Sequence, residues 1–227
     1  MSRALRAVVV MLLALTGCND EPTQRRAFID FLQQHIVSRT GVHVVLMNEE
    51  LAKSFGPYAS HYQVILDFNS DLELPALERA AKLKNEVGDL ADLAAHRDEL
   101  KTLRLAIPEM AAAIERKITT ANTAHAALQQ PPDLKEVYDK AFDRLVTRPG
   151  TLLAQMLSVL DKSVGAMIEP GDYVFANANV IRVTGMDGSS VDPVVDRHLK
   201  ELLDAAHQND DAVADLKRRF QALVNGS

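Results

Sequence analysis

Leu15-Thr16-Gly17-Cys18 sets two small residues ahead of the only cysteine in the chain, at the end of a leader that is first basic and then apolar. This is the arrangement at which a bacterial lipoprotein is diacylated on sulfur and cleaved just before the cysteine. Cys18 is then the lipidation site, and Leu15, Thr16 and Gly17 are the residues recognised for cleavage. Arg3 and Arg6 hold the amino terminus in the cytoplasm, and the nine residues from Ala7 to Leu15 are all apolar. As a helix that run covers about 14 Å at roughly 1.5 Å per residue, which suits a signal segment and is too short for a membrane span. Two or three acyl chains, at about 0.8 kcal/mol per buried methylene, make a stable anchor. The plainer alternative is an ordinary signal peptide with an unmodified cysteine near its end. With one thiol there is no internal disulfide, so an exported body must draw its stability from its core.

Cleavage divides the chain into a signal peptide at 1–17, a lipidated tether at 18–24 and a single helical periplasmic domain at 25–227. The formal charge is 25 − 31 = −6, and loss of Arg3 and Arg6 makes it 23 − 31 = −8. An acidic body disfavours nucleic acid and broad docking onto anionic lipid, which leaves the lipid on Cys18 to hold the membrane. Asn19 and then Asp20 follow the cysteine. The usual enterobacterial inner-membrane retention signal puts aspartate directly after it, so the periplasmic face of the outer membrane is favoured over the inner.

Other chemistry is sparse. The seven histidines, His35, His43, His61, His96, His125, His198 and His207, contain no pair three or four residues apart, so no helix presents a two-histidine metal face. Asp67, Asn69, Asp71 and Glu78 occupy positions 1, 3, 5 and 12 of a calcium loop, but Leu72 stands where glycine must turn the chain and Pro75 falls ninth. They read as solvated groups at a helix end. Lys217-Arg218-Arg219 is a basic cluster on the last helix, either a solvated face or a site for a membrane-proximal anionic group. Hydrolase, phosphate-loop and dinucleotide fingerprints are missing from the sequence. The expectation is no enzyme, no cofactor and no metal.

The periodicity that must position these residues is helical. A first helix is expected from Pro22 to Arg39, with Phe28, Phe31, Leu32 and Ile36 inward and Gly41 as its stop. Asn48 caps a short helix ending at Phe55-Gly56, and Pro57 opens another with Tyr58, Tyr62, Ile65 and Leu66 on one face. Leucines and isoleucines at steps of three and four over 76–130 describe packed antiparallel helices, with a break or kink at Pro108. Arg148-Pro149-Gly150 and Glu169-Pro170-Gly171 are expected to stop or interrupt the helices that reach them. Val180–Val183 is the best strand, with Asp187-Gly188 as a turn. The fold class is all-α, an elongated multi-helix bundle of long antiparallel helices with one short extended segment near residues 180–190.

Arg25 to Gln33, then Phe55-Gly56-Pro57-Tyr58, the run from Ala124 to Phe142, and Gly171-Asp172-Tyr173 resemble, in order and spacing, an enterobacterial lipoprotein family catalogued as a domain of unknown function, the YiaF-like lipoproteins. The resemblance covers most of the mature chain. It implies a lipid-anchored, helical periplasmic protein and brings no catalytic or binding residues with it.

Two functions of different class fit. One is a non-enzymatic interaction or scaffolding module of the cell envelope, using an exposed helix groove or the loop at 176–192 to meet an envelope protein partner. The other is a periplasmic binding protein for a small amphiphile, a lipid or cell-wall fragment, which requires an enclosed pocket among the helices.

Overall fold

The computed structural model describes residues 20–70 and 72–226. The Leu15-Thr16-Gly17-Cys18 segment lies outside the described residues. Apart from one small hairpin the described chain is helical, as its periodicity requires. In order the elements are α1 (Glu21–Leu32), α2 (Glu49–Phe55), α3 (Ala59–Asn69), α4 (Pro75–Glu86), α5 (Leu90–Ala95), α6 (Arg97–Ala127), α7 (Pro132–Phe142), α8 (Arg148–Ala176), β1 (Ile181–Thr184), β2 (Asp187–Ser190), α9 (Pro193–His207) and α10 (Asp210–Asn225). Two π-helical turns, Gln33–Val37 and Asp143–Thr147, extend α1 and fuse α7 to α8, and a 3₁₀ turn at Gly56–Tyr58 joins α2 to α3.

The described residues are arranged as two compact units of interleaved sequence. The first takes the described residues up to Ser70 together with Thr120–Arg148, and the second takes 72–119 together with Pro149–Asn225. Seven phenylalanines and four tyrosines make eleven of these residues, and eight of them (Phe28, Phe31, Phe55, Tyr58, Tyr62, Phe68, Tyr138 and Phe142) lie buried in the first unit. Its core is therefore aromatic. Phe31 packs 5.0 Å from Phe55 and edge-on to Tyr62 at 5.2 Å, while Phe28 reaches Phe55, Tyr62 and Tyr138. Such tilted and edge contacts add about 0.5–1.5 kcal/mol each beyond burial. α1 and α7 run parallel here, for Arg25 meets Asp133 at one end and Arg144 meets the Val37 carbonyl at the other.

The second unit has an aliphatic core of Leu83, Leu90, Leu93, Leu100, Leu103, Ile107, Ile114, Leu157, Val164 and Leu199 among others. α6 and α8 run antiparallel through it, since Arg97 pairs with Asp172 and Arg104 with Asp161. Asp89 caps α5 by accepting from the Asp92 amide, and the Leu90 amide donates to the Gly185 carbonyl, which docks the hairpin on α5. β1 and β2 pair antiparallel with Ile181 opposite Ser190 and Thr184 opposite Asp187. The turn is thus Gly185-Met186, with φ 60° at Gly185, and not Asp187-Gly188. Gly188 instead lies in β2, where an added Cβ would come within 3.0 Å of Leu199.

Two expected helix stops are absent, at Pro149 and Pro170, and Pro108 lies inside a helix. α6 runs through Pro108, flanked by buried Leu103, Ile107 and Met110. At Pro149 the missing N–H would have bonded the carbonyl of Leu145, and the Asn69 side chain donates to that carbonyl instead, at 3.2 Å. The preceding π turn absorbs the remaining mismatch, so α7 and α8 are continuous. α8 likewise passes Pro170-Gly171, where the bare Gly171 lets the α5 backbone approach until a Cβ would sit 3.2 Å from the Leu93 carbonyl. The resulting run Pro132–Ala176 contains an 18-residue stretch of mean hydropathy 1.2 and is long and apolar enough to cross a membrane by length and composition. Its Leu152, Leu157 and Val164 are buried within the second unit.

Candidate functional site

α1 begins three residues after Cys18, and its first turn is the most tightly cross-linked polar region of the first unit. Asp20 already has helical backbone angles, and its carbonyl accepts from the Gln24 amide at 2.8 Å. Pro22 suits such a start because its missing N–H would have no partner there. The buried Tyr58 hydroxyl donates to Glu21 Oε1. Arg25 bridges Glu21 at 3.8 Å and Asp133 at 3.6 Å. Burial, with the Glu21 carboxylate beside it, pushes the Tyr58 phenol up to about 12, so it stays protonated and keeps donating. Gln24 lies over Gly56, whose φ of 54° no other residue adopts readily. Sequence inspection found Gly56-Pro57-Tyr58 as a helix junction but not this lock, because the partners are 37 and 108 positions apart from Glu21 and Arg25.

A second polar knot joins α6 and α7. His125 Nε2 lies 2.8 Å from Asp139 Oδ1, Lys135 donates to the same carboxylate at 2.7 Å, and the His125 ring stacks on Phe142 at 4.2 Å. Burial raises the Asp139 pKa, but Lys135 and His125 outweigh it and hold the group below its ordinary value. Nearby, His61 Nδ1 meets the Gln130 amide at 3.1 Å, the Tyr138 hydroxyl donates to the His61 carbonyl, and burial lowers the His61 pKa. Lys135 engages both oxygens of the Asp139 carboxylate, and this knot ties the helices together.

The remaining sequence candidates are dispersed. Asp71 lies outside the described residues. Asp67 accepts from Gln63, Asn69 is spent on the Ile65 and Leu145 carbonyls, and Glu78 sits in the second unit on α4. His96 bonds the Asp92 carbonyl, His198 faces Glu201 and Tyr173, and His207 pairs with Asp210, while His35 stands beside Phe31. No group of His, Cys, Asp and Glu able to hold a metal occurs among the described residues. Arg218 and Arg219 both pair with Asp215, which offsets part of the positive charge of the basic cluster on α10.

Two open grooves lie in the second unit. One, about 440 Å³, runs beside α4 past Arg79, Lys82, Glu86 and Glu99; the other, about 430 Å³, lies between the hairpin and α9 beside Asp187, Lys200 and His207. Neither is an apolar enclosure. By contrast, large apolar side chains stand in solvent around the hairpin: Phe175 at 55%, Val191 at 98% and Val194 at 66% exposure, with Val180 and Met186 between. Arg97 covers one face of Phe175 at 3.5 Å. Sequence inspection singled out the loop at 176–192, and this apolar exposure spans it.

Among known proteins, the chain is similar to the uncharacterised protein YiaF of Escherichia coli K12, with 29% identity over 172 residues, or 74% of this chain and 72% of that one. The same identity and coverage hold for YiaF of Escherichia coli O157:H7 and of Shigella flexneri. No solved structure matches. Residues 6–222 match the family described as a protein of unknown function, DUF3053, and with nearly its whole length matched the chain belongs to that family.

Proposed function

We propose that the mature protein is held by lipid on Cys18 at the periplasmic face of a bacterial membrane, the outer rather than the inner, and serves as a non-enzymatic interaction or scaffolding module of the envelope. The observation that carries the reading is the set of exposed apolar side chains Phe175, Val180, Met186, Val191 and Val194, at and beside a hairpin that the Leu90 amide ties to α5 and that sets Gly188 against Leu199 of α9. Exposed apolar groups around a fixed support suit capture of a protein surface. The open, charged grooves weigh against an amphiphile carrier, which would need an enclosed apolar cavity. Photocrosslinking in cells from Met186 and Val191, with Cys18→Ser as the mislocalised control, tests the reading. The expected result is a crosslink to a defined envelope protein that vanishes in the control. Absence of any crosslink from a folded, membrane-bound chain sinks it.

A further inference from the structure

We infer that the first unit stands on the lipid leaflet by one end, the rim formed by the start of α1, the Gly56–Tyr58 turn and the start of α7, with phospholipid headgroups as its contact. The inference rests on the lipidation of Cys18 proposed above. Helical geometry already holds at Asp20, so the Cα of that residue lies within about 7 Å of the Cα of Cys18, at no more than about 3.6 Å per residue. The lipid therefore joins the chain within two residues of the rim.

The rim it leads to is rigid for reasons independent of the lipid. Tyr58 holds Glu21, and Arg25 holds Glu21 and Asp133 together, so three chain segments are fastened where the tether enters. Sharing Arg25 between the two carboxylates lowers the negative charge that this end would otherwise present to anionic headgroups. Pro22, Pro57 and Pro132 are exposed, each at the first or second position of its helical segment. Lying flat is disfavoured by the same helix. The apolar residues Phe28, Phe31, Leu32 and Ile36 of α1 and its π extension are all buried inside the unit, so α1 has no apolar face left to sink into the interface. From Glu21 to Val37 the helical run rises about 25 Å at roughly 1.5 Å per residue, which separates the rim from the far end at Ser38.

Lipid-proximity quenching tests this on the full-length protein purified from membranes. Ser60→Cys, beside the rim, and Ser38→Cys, at the far end, are each labelled with a fluorophore and reconstituted in phosphatidylethanolamine and phosphatidylglycerol vesicles carrying a headgroup nitroxide. Acylated Cys18 leaves the new cysteine as the reactive thiol. Quenching at Ser60 is expected to exceed that at Ser38 at least threefold, and Tyr58→Phe, which keeps the ring and removes the bond to Glu21, should shrink the ratio while circular dichroism stays native. Equal quenching at the two positions, or stronger quenching at Ser38, overturns the inference. Intact mass of the amino-terminal peptide separates the two failures: an acylated Cys18 with equal quenching defeats the orientation alone, whereas an unacylated Cys18 defeats the anchor and the orientation together.

Discussion

Gly56 has φ 54° and ψ −125°, a region that glycine alone enters without strain. Gly56→Ala should destabilise the protein by about 1–3 kcal/mol, chiefly through the backbone, because the Gln24 side chain overlying it can swing aside. A thermal midpoint equal to that of the wild type would contradict this. His61 offers a test of burial by pH. Its pKa is lowered from 6.5 by desolvation, so the unfolded chain takes up the proton first. Its contribution to stability is fully present above about pH 6.5 and is lost as pH falls through the lower folded value. His61→Gln preserves an amide partner for Gln130, and urea midpoints taken from pH 7 to pH 5 should fall less steeply for the variant. Parallel slopes would show that the ring is wetter than its surroundings indicate.

Element boundaries show where local sequence rules stop being sufficient. The cap at Asn48, the apolar stripe of α1 and the existence of a strand near 181 were legible because each depends on neighbours within a few residues. Tyr58, Tyr62 and Ile65 are buried as their spacing predicts, with Phe68 and not Leu66 completing the face. The continuity of α7 and α8 was not legible, since proline and glycine at 148–150 argue for a stop and the compensating donor, Asn69, is 76 residues away from Leu145. The same holds for Pro170-Gly171, where a glycine that should weaken the helix admits the α5 backbone. Asn69→Ala should expose that compensation. Loss of one partly buried hydrogen bond to the Leu145 carbonyl predicts about 0.5–1.5 kcal/mol of destabilisation, read as a lower urea midpoint at unchanged slope. It should also speed hydrogen exchange at the amides around the Asp143–Thr147 π turn. If exchange there stays slow, the π turn holds itself without Asn69.

At the scale of the molecule, the partition into an aromatic and an aliphatic unit follows from where the chain places its rings. It was invisible to periodicity, which sees only apolar against polar. Three of the four tyrosines, Tyr58, Tyr62 and Tyr138, lie in the first unit, and the chain has no tryptophan. Tyrosine fluorescence therefore reports mainly the first unit, while far-ultraviolet circular dichroism reports helices in both. Phe28 is fully buried among Phe55, Tyr58, Tyr62 and Tyr138, and Phe28→Ala should cost about 3–5 kcal/mol where the site cannot collapse. If the units unfold as separate cooperative blocks, that change lowers the fluorescence midpoint more than the dichroism midpoint and gives the dichroism curve a second step. Leu103→Ala, in the aliphatic core, should reverse the order of the two midpoints. Two helical runs, α6 and the fused α7–α8, belong to both units and oppose this separation by carrying unfolding from one to the other. Coincident fluorescence and dichroism midpoints in both variants would mean that these helices win and the body responds as one cooperative block.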